Sequence, residues 1–216
     1  MRDDLFQPAT VLSLMLVALS LMLAVDLLLH QTVAEIFKEG HAIEFFAAVY
    51  YCLAAVLLTA MLPAARLRGQ WHLPVILVLM TLREFDLDKR LTSEGILQLR
   101  LYSGPAPLGE KIAGAMVTAL ILVCGWRLAL RTLPAFWRGL RAMDPSSWLA
   151  LFAGTAIVIS KSLDGLERKL AAFGYGIGRD VAVWASRSEE MLELAASMML
   201  VMAVVHGCRR WALQAT

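Results

Sequence analysis

The chain has 216 residues, is 59% hydrophobic, and carries 20 Lys and Arg against 18 Asp and Glu, a formal net charge of +2. A mean hydropathy of +0.66 and several apolar runs long enough to cross a bilayer exclude a soluble enzyme and point to an all-α, multi-pass membrane protein, a single bundle of six transmembrane helices with short loops. Near-neutral charge gives no reason to expect nucleic acid. Cys52, Cys124 and Cys208 form no C-x-x-C or Cys/His cluster, so no structural disulfide or haem site is expected; no flavin or nucleotide is expected either.

The first span covers residues 9–29. It is too long for a signal-peptide core and lacks a small-x-small cleavage site, so it reads as a retained helix with Asp26 near its far end. HQTVAEIFKEG then forms a short amphipathic connector. Glu44 opens the second span, 43–62, which Pro63 ends. Arg66 and Arg68 make a basic loop, and Trp71 and His72 mark an interface.

The third span, 73–91, is the unusual one. Its first ten residues, Leu73 to Leu82, are uncharged; then come Arg83, Glu84, Asp86, Asp88, Lys89 and Arg90. A bilayer core needs about 20 helical residues, and each charge at its centre costs roughly 2.5–3.5 kcal/mol. The charged half therefore requires partners on other helices.

Residues 92–109 are a loop ending in the turn-rich SGPAPLG. The fourth span covers 110–127, followed by the basic, aromatic RLALRTLPAFWRGLRAMDP, read as an interfacial amphipathic segment. Ser146 or Ser147 caps the fifth span, 147–165, which turns polar as KSLDGLERKL. Arg83, Asp86 and Arg90 have the spacing of Lys161, Asp164 and Arg168, a trace of an internal repeat. A glycine-containing loop over 171–188 follows. Its FGYGIGRD is no dinucleotide fingerprint, because no strand precedes it. The sixth span, 189–206, starts with Glu189, Glu190 and Glu193, and the tail is basic.

Six alternating spans place both termini on one side and collect the charged span ends in the opposite leaflet. The terminal side holds Arg2, Arg66, Arg68, Arg127, Arg131, Arg138, Arg141, Arg209 and Arg210, with five of the six tryptophans. The positive-inside rule makes that side cytoplasmic, in a bacterial inner (plasma) membrane, and turns the charged side toward the periplasm.

Helical spacing then selects a network. Glu84 and Asp88 share a face, as do Arg83 and Asp86, Lys161 and Asp164, and Glu190 and Glu193. The expected carboxylates, as metal ligands or proton carriers, are Glu84, Asp86, Asp164, Glu190, Glu193 and, at the rim, Glu44. Arg83, Lys161 and Lys89 are expected as ion-pair or anion partners, and Asp26 lies at the rim. Such a cavity suits a cation, either a divalent metal (Ca²⁺, Mg²⁺, Mn²⁺ or Zn²⁺) or a proton, since packed like charges favour proton uptake. A second reading is an enzyme or carrier acting on a phosphorylated headgroup, of a phospholipid or isoprenoid phosphate, gripped by Arg83, Lys89 and Lys161 with His41 as ligand or base. A third is a structural or accessory subunit, because polar networks also hold bundles together. Alkaline ceramidase-type hydrolases also combine several spans with buried polar residues. Their metal site needs several histidines, and only His30 and His41 lie on the charged side here.

Overall fold

The computed structural model describes residues 7–30, 42–87 and 92–213, and among them every regular element is helical. His41 and Lys89 lie outside the described residues, as does most of the expected connector. The helices are α1 (Pro8–His30), α2 (Ala42–Met61), α3 (Ala64–Gly69), α4 (His72–Glu84), α5 (Leu99–Ser103), α6 (Leu108–Arg127), a π-turn (Leu128–Thr132), α7 (Leu133–Arg141), α8 (Pro145–Leu163), α9 (Leu166–Ala171) and α10 (Arg179–Leu213). Among the described residues, five helices are long and apolar enough to cross a membrane: α1, α2, the continuous α6–α7 rod, α8 and α10.

Side-chain size decides the packing order. α10 lies at the centre, packed on α8 and α2, and α2 packs on α4. Ala153 and Ala156 of α8 meet Ala196 of α10. Small residues there let two backbones approach closely. The other face of α10 sets Leu194, Val201 and Val205 against Tyr50, Tyr51, Ala54 and Leu58 of α2. α1 and α6–α7 are peripheral: 17% and 11% of their most apolar windows are buried. Leu14, Leu21, Leu28, Leu122 and Trp126 stand exposed on them. A soluble monomer rarely exposes so much contiguous apolar surface, which suggests a membrane protein.

Three boundaries differ from the sequence expectation. α4 stops at Glu84 instead of running toward residue 91. The Asp86 N–H returns to the Arg83 carbonyl, and Asp86 adopts φ +48°. Aspartate tolerates this left-handed conformation better than most residues. The chain thus leaves the α4 axis at Phe85. α8 ends alike: the Asp164 N–H returns to Ser160, and Gly165 has φ +57°.

The second difference is that the fourth span does not stop at Arg127: α6 passes without a break into the π-turn and α7. Pro134 cannot donate its backbone nitrogen, and its ring crowds the carbonyl four residues earlier. The π-turn at Leu128–Thr132 widens the helix just before it, so one rod continues to Arg141. The third is that α10 starts at Arg179, immediately after the last glycine of the loop, with Asp180 in the favourable first turn.

The α7–α8 corner is built by close approach. The Met143 N–H bonds the Leu140 carbonyl, and the Asp144 N–H bonds the Gly139 carbonyl. This is a Schellman closure with Met143 at φ +53°, where glycine is usual. A Cβ at Gly139 would clash with Ser147 Oγ and sit 3.0 Å from Ser147 Cβ. Gly139→Ala is therefore expected to destabilise the protein by about 1–3 kcal/mol through overpacking, read as a lowered Tm in detergent. An unchanged Tm would show that the corner yields freely.

Asp144 makes that corner pH-sensitive. Burial alone would raise its carboxyl. Hydrogen bonds from Ser146, Ser147 and Arg210, with the Arg210 charge, outweigh this and hold it below the ordinary carboxylate range. The Arg210 Nη1 to Asp144 Oδ1 distance is 3.0 Å. A carboxyl depressed in the folded state contributes stability above its unfolded value, about 3.9. That contribution is lost as pH falls through the folded value. The thermal stabilities of the native protein and Asp144→Asn should differ near neutral pH by up to about 1 kcal/mol, as for an exposed pair. They should converge in acid, and parallel curves would refute the assignment.

Candidate functional site

The site forms where α2, α4, α8 and α10 come together toward the acidic end of the bundle. His72 opens α4, and Gly207 of α10 lies beside Ser146 near the start of α8, so these residues mark the arginine-rich end. At about 1.5 Å per residue, Glu84, Ser160 and Glu193 each lie about 20 Å from that end. Three helices with unrelated sequences thus bring polar side chains to one level.

Glu193 is the hub. It is 6% exposed. Its Oε1 accepts Arg83 Nη2 at 3.0 Å, Lys161 Nζ at 2.6 Å and the Ser160 hydroxyl at 2.9 Å. Glu84, 5% exposed, takes the same Arg83 Nη2 at 2.6 Å. Because both accept the same Nη2, the two carboxyls are close neighbours and act on one another electrostatically. A single guanidinium therefore sits between carboxyls from two helices, while Lys161 and Ser160 bring a third helix onto Glu193. Lys161 also reaches Glu189 Oε1 at 3.5 Å. The bases face outward as well: the Arg83 and Lys161 side chains keep 42% and 37% of their exposure.

Glu190 is half-buried and feels the charges of Glu193, Glu44, Glu189 and Glu84. The carboxyls outnumber the bases, and those flanking the pair extend from it toward the start of α2. Asp164 sits in the turn after α8, where its charge acts on Glu189. Asp86 occupies the left-handed turn just past α4. Asp26 is buried, and its Oδ2 accepts the Ala42 N–H at 3.4 Å, placing a negative charge at the N-terminus of α2. Among the described residues, no three His, Cys, Asp or Glu side chains converge as a metal-ligand set.

Two residues that sequence reasoning did not select join the site. Ser160 is fully buried and bonds Glu193. Its signal was its place beside Lys161 on the last apolar turn. Tyr51 is also fully buried, and Glu84, Glu193 and Arg83 act electrostatically on its hydroxyl. Its signal was the seven-residue spacing from Glu44, two turns along one helix face. At the other end, His72 Nε2 pairs with Thr132 Oγ1 of the π-turn at 2.8 Å. Arg127 donates to the Gly69 carbonyl at 2.8 Å and lies over the Trp71 ring. These contacts fasten the end of α3 and the start of α4 to the α6–α7 rod.

No protein-family model, curated protein or solved structure matches the chain.

Proposed function

We propose that this chain is a multi-pass protein of a cell inner membrane and that its Glu84–Glu193 pair binds and exchanges a proton. In this reading α4 is a sixth, shorter membrane helix beside the five long ones. Both termini lie with the arginine-rich end in the cytoplasm, and the charged end faces the periplasm. The observation that carries the proposal is the approach of two nearly buried carboxyls from separate helices, both held by Arg83.

Two bare carboxylates at that separation repel, and one proton between them turns repulsion into a hydrogen bond. Arg83 and Lys161 balance the remaining negative charge. Ser160 fixes the rotamer of Glu193 by binding the oxygen that both bases share. Glu190, Glu189 and Glu44 supply further carboxyls toward the acidic end of the bundle, suited to passing a proton between the pair and water. A proton is favoured over a divalent metal because Glu193 Oε1 already accepts two cationic donors and a hydroxyl. A hard metal ion would have to displace them.

The test is proton flux into liposomes carrying the purified protein, with the membrane potential clamped and an internal pH-sensitive dye. Glu84→Gln is expected to reduce flux about 100-fold, the lower end of what a positioned proton-transfer group contributes. Flux equal to that of the native protein would sink the proposal. Inhibition of native flux by micromolar-range Ca²⁺, Mg²⁺, Mn²⁺ or Zn²⁺ would favour the metal reading instead.

A further inference from the structure

Tyr50 and Tyr51 are adjacent on α2, and their hydroxyls meet different fates. Tyr50 donates to the Met15 carbonyl of α1 at 2.6 Å. The Tyr51 hydroxyl, in a side chain with 0% exposure, has no protein partner. Leaving a buried hydroxyl unsatisfied is costly, and such groups in native folds call for an explanation. Around Tyr51 the charged groups are Glu84, Glu193 and Arg83, close enough to act on the hydroxyl but not bonded to it. About 15 Å of helix separates Tyr51 from the end of α2 at Met61. That puts Tyr51 on the side of the carboxyl pair nearer the arginine-rich end.

We propose that the Tyr51 hydroxyl holds an occluded water against the Glu84–Glu193 pair, which makes Tyr51 a positioning residue of the proton-binding site. A water here has the two to four polar partners that keep one in place: the phenol oxygen and the two carboxyls. The phenol donates its hydrogen to the water oxygen, and the water donates its own hydrogens to the carboxyls. No bond to oxygen is broken in this arrangement. A proton arriving at the pair changes only which carboxyl oxygen the water serves. The site is thereby closed, on the side nearer the arginine-rich end, by a group that orients the pair without adding charge.

The inference rests on the proton-sharing reading, and infrared difference spectroscopy separates the two. Spectra of the full-length protein would be recorded between acid and alkaline pH in H₂¹⁶O and H₂¹⁸O. The native protein should show a carboxylic C=O band, lost in Glu84→Gln, and a water O–H band that moves with ¹⁸O. Tyr51→Phe should abolish the water band and shift the C=O band. Tyr50→Phe should leave both in place. Acid-minus-alkaline spectra of the native protein and Glu84→Gln with the same C=O bands overturn proton sharing itself. A C=O band that is present but unmoved in Tyr51→Phe, or a water band that survives it, overturns only the role of Tyr51. If Tyr51→Phe fails to fold, the unsubstituted chain grown with ring-labelled tyrosine decides the matter. One tyrosine C–O band must respond to ¹⁸O water, and the absence of any response refutes the bound water.

Discussion

Truncating Glu193 to alanine is expected to lower stability by about 2–3 kcal/mol. The change removes the acceptor shared by Arg83, Lys161 and Ser160. Ser160, fully buried, loses the carboxylate that accepts its hydroxyl, and the two bases are left facing one another. Breaking a fully buried ion pair costs about 3–5 kcal/mol. Arg83 and Lys161 are more than one-third exposed, so water recovers part of that cost. Glu193→Gln should fall between, because its amide oxygen still accepts. Thermal unfolding in detergent reads the effect. A Glu193→Ala protein as stable as the native one would mean that the ion pairs contribute nothing to the bundle.

Ala196→Leu should be at least as damaging, for a steric reason. Ala196 and Ala153 are fully buried on the facing sides of α10 and α8, with Ala156 beside them. Protein interiors are close-packed, and forcing extra methylenes into them costs about 1–3 kcal/mol, occasionally more. Here the relief is lateral: α8 must move away from α10. One turn along the same seam lies the Ser160–Glu193 hydrogen bond. The substitution is therefore expected to weaken both the fold and proton flux. Met191→Leu on the same helix, 49% exposed, should alter neither. If Ala196→Leu keeps full stability and flux, the seam is looser than its burial implies.

The charged end of the bundle was legible because charge at membrane depth is expensive. Glu193 stood a full turn inside an apolar run, and Arg83 and Lys161 were the deepest bases in theirs, so their meeting followed from spacing and alternation. Ser160 and Tyr51 were harder to see, since neither a hydroxyl nor a phenol disturbs a hydropathy pattern. Helix ends were the least legible. Asp86 in a left-handed turn ends α4 early, and nothing in LREFDLDKRL distinguishes it from Asp88. Pro134 reads as a break, yet the rod passes through it because the π-turn absorbs the steric conflict. The glycines near residue 175 suggested a long loop, whereas α10 starts directly after Gly178.

The π-turn has a consequence for how the rod is phased. An α-helix advances about 100° and 1.5 Å per residue, and a π-turn accommodates one residue more than an α-turn. Everything after Thr132 is thus offset by one residue's rotation from the stripe that α6 would have continued. That offset brings Gly139 and Leu140 inward while Arg138 and Arg141 point out. The corner that receives Ser147 is therefore set as a screw thread is, by a surplus half a dozen residues upstream, and the seating of α8 depends on it.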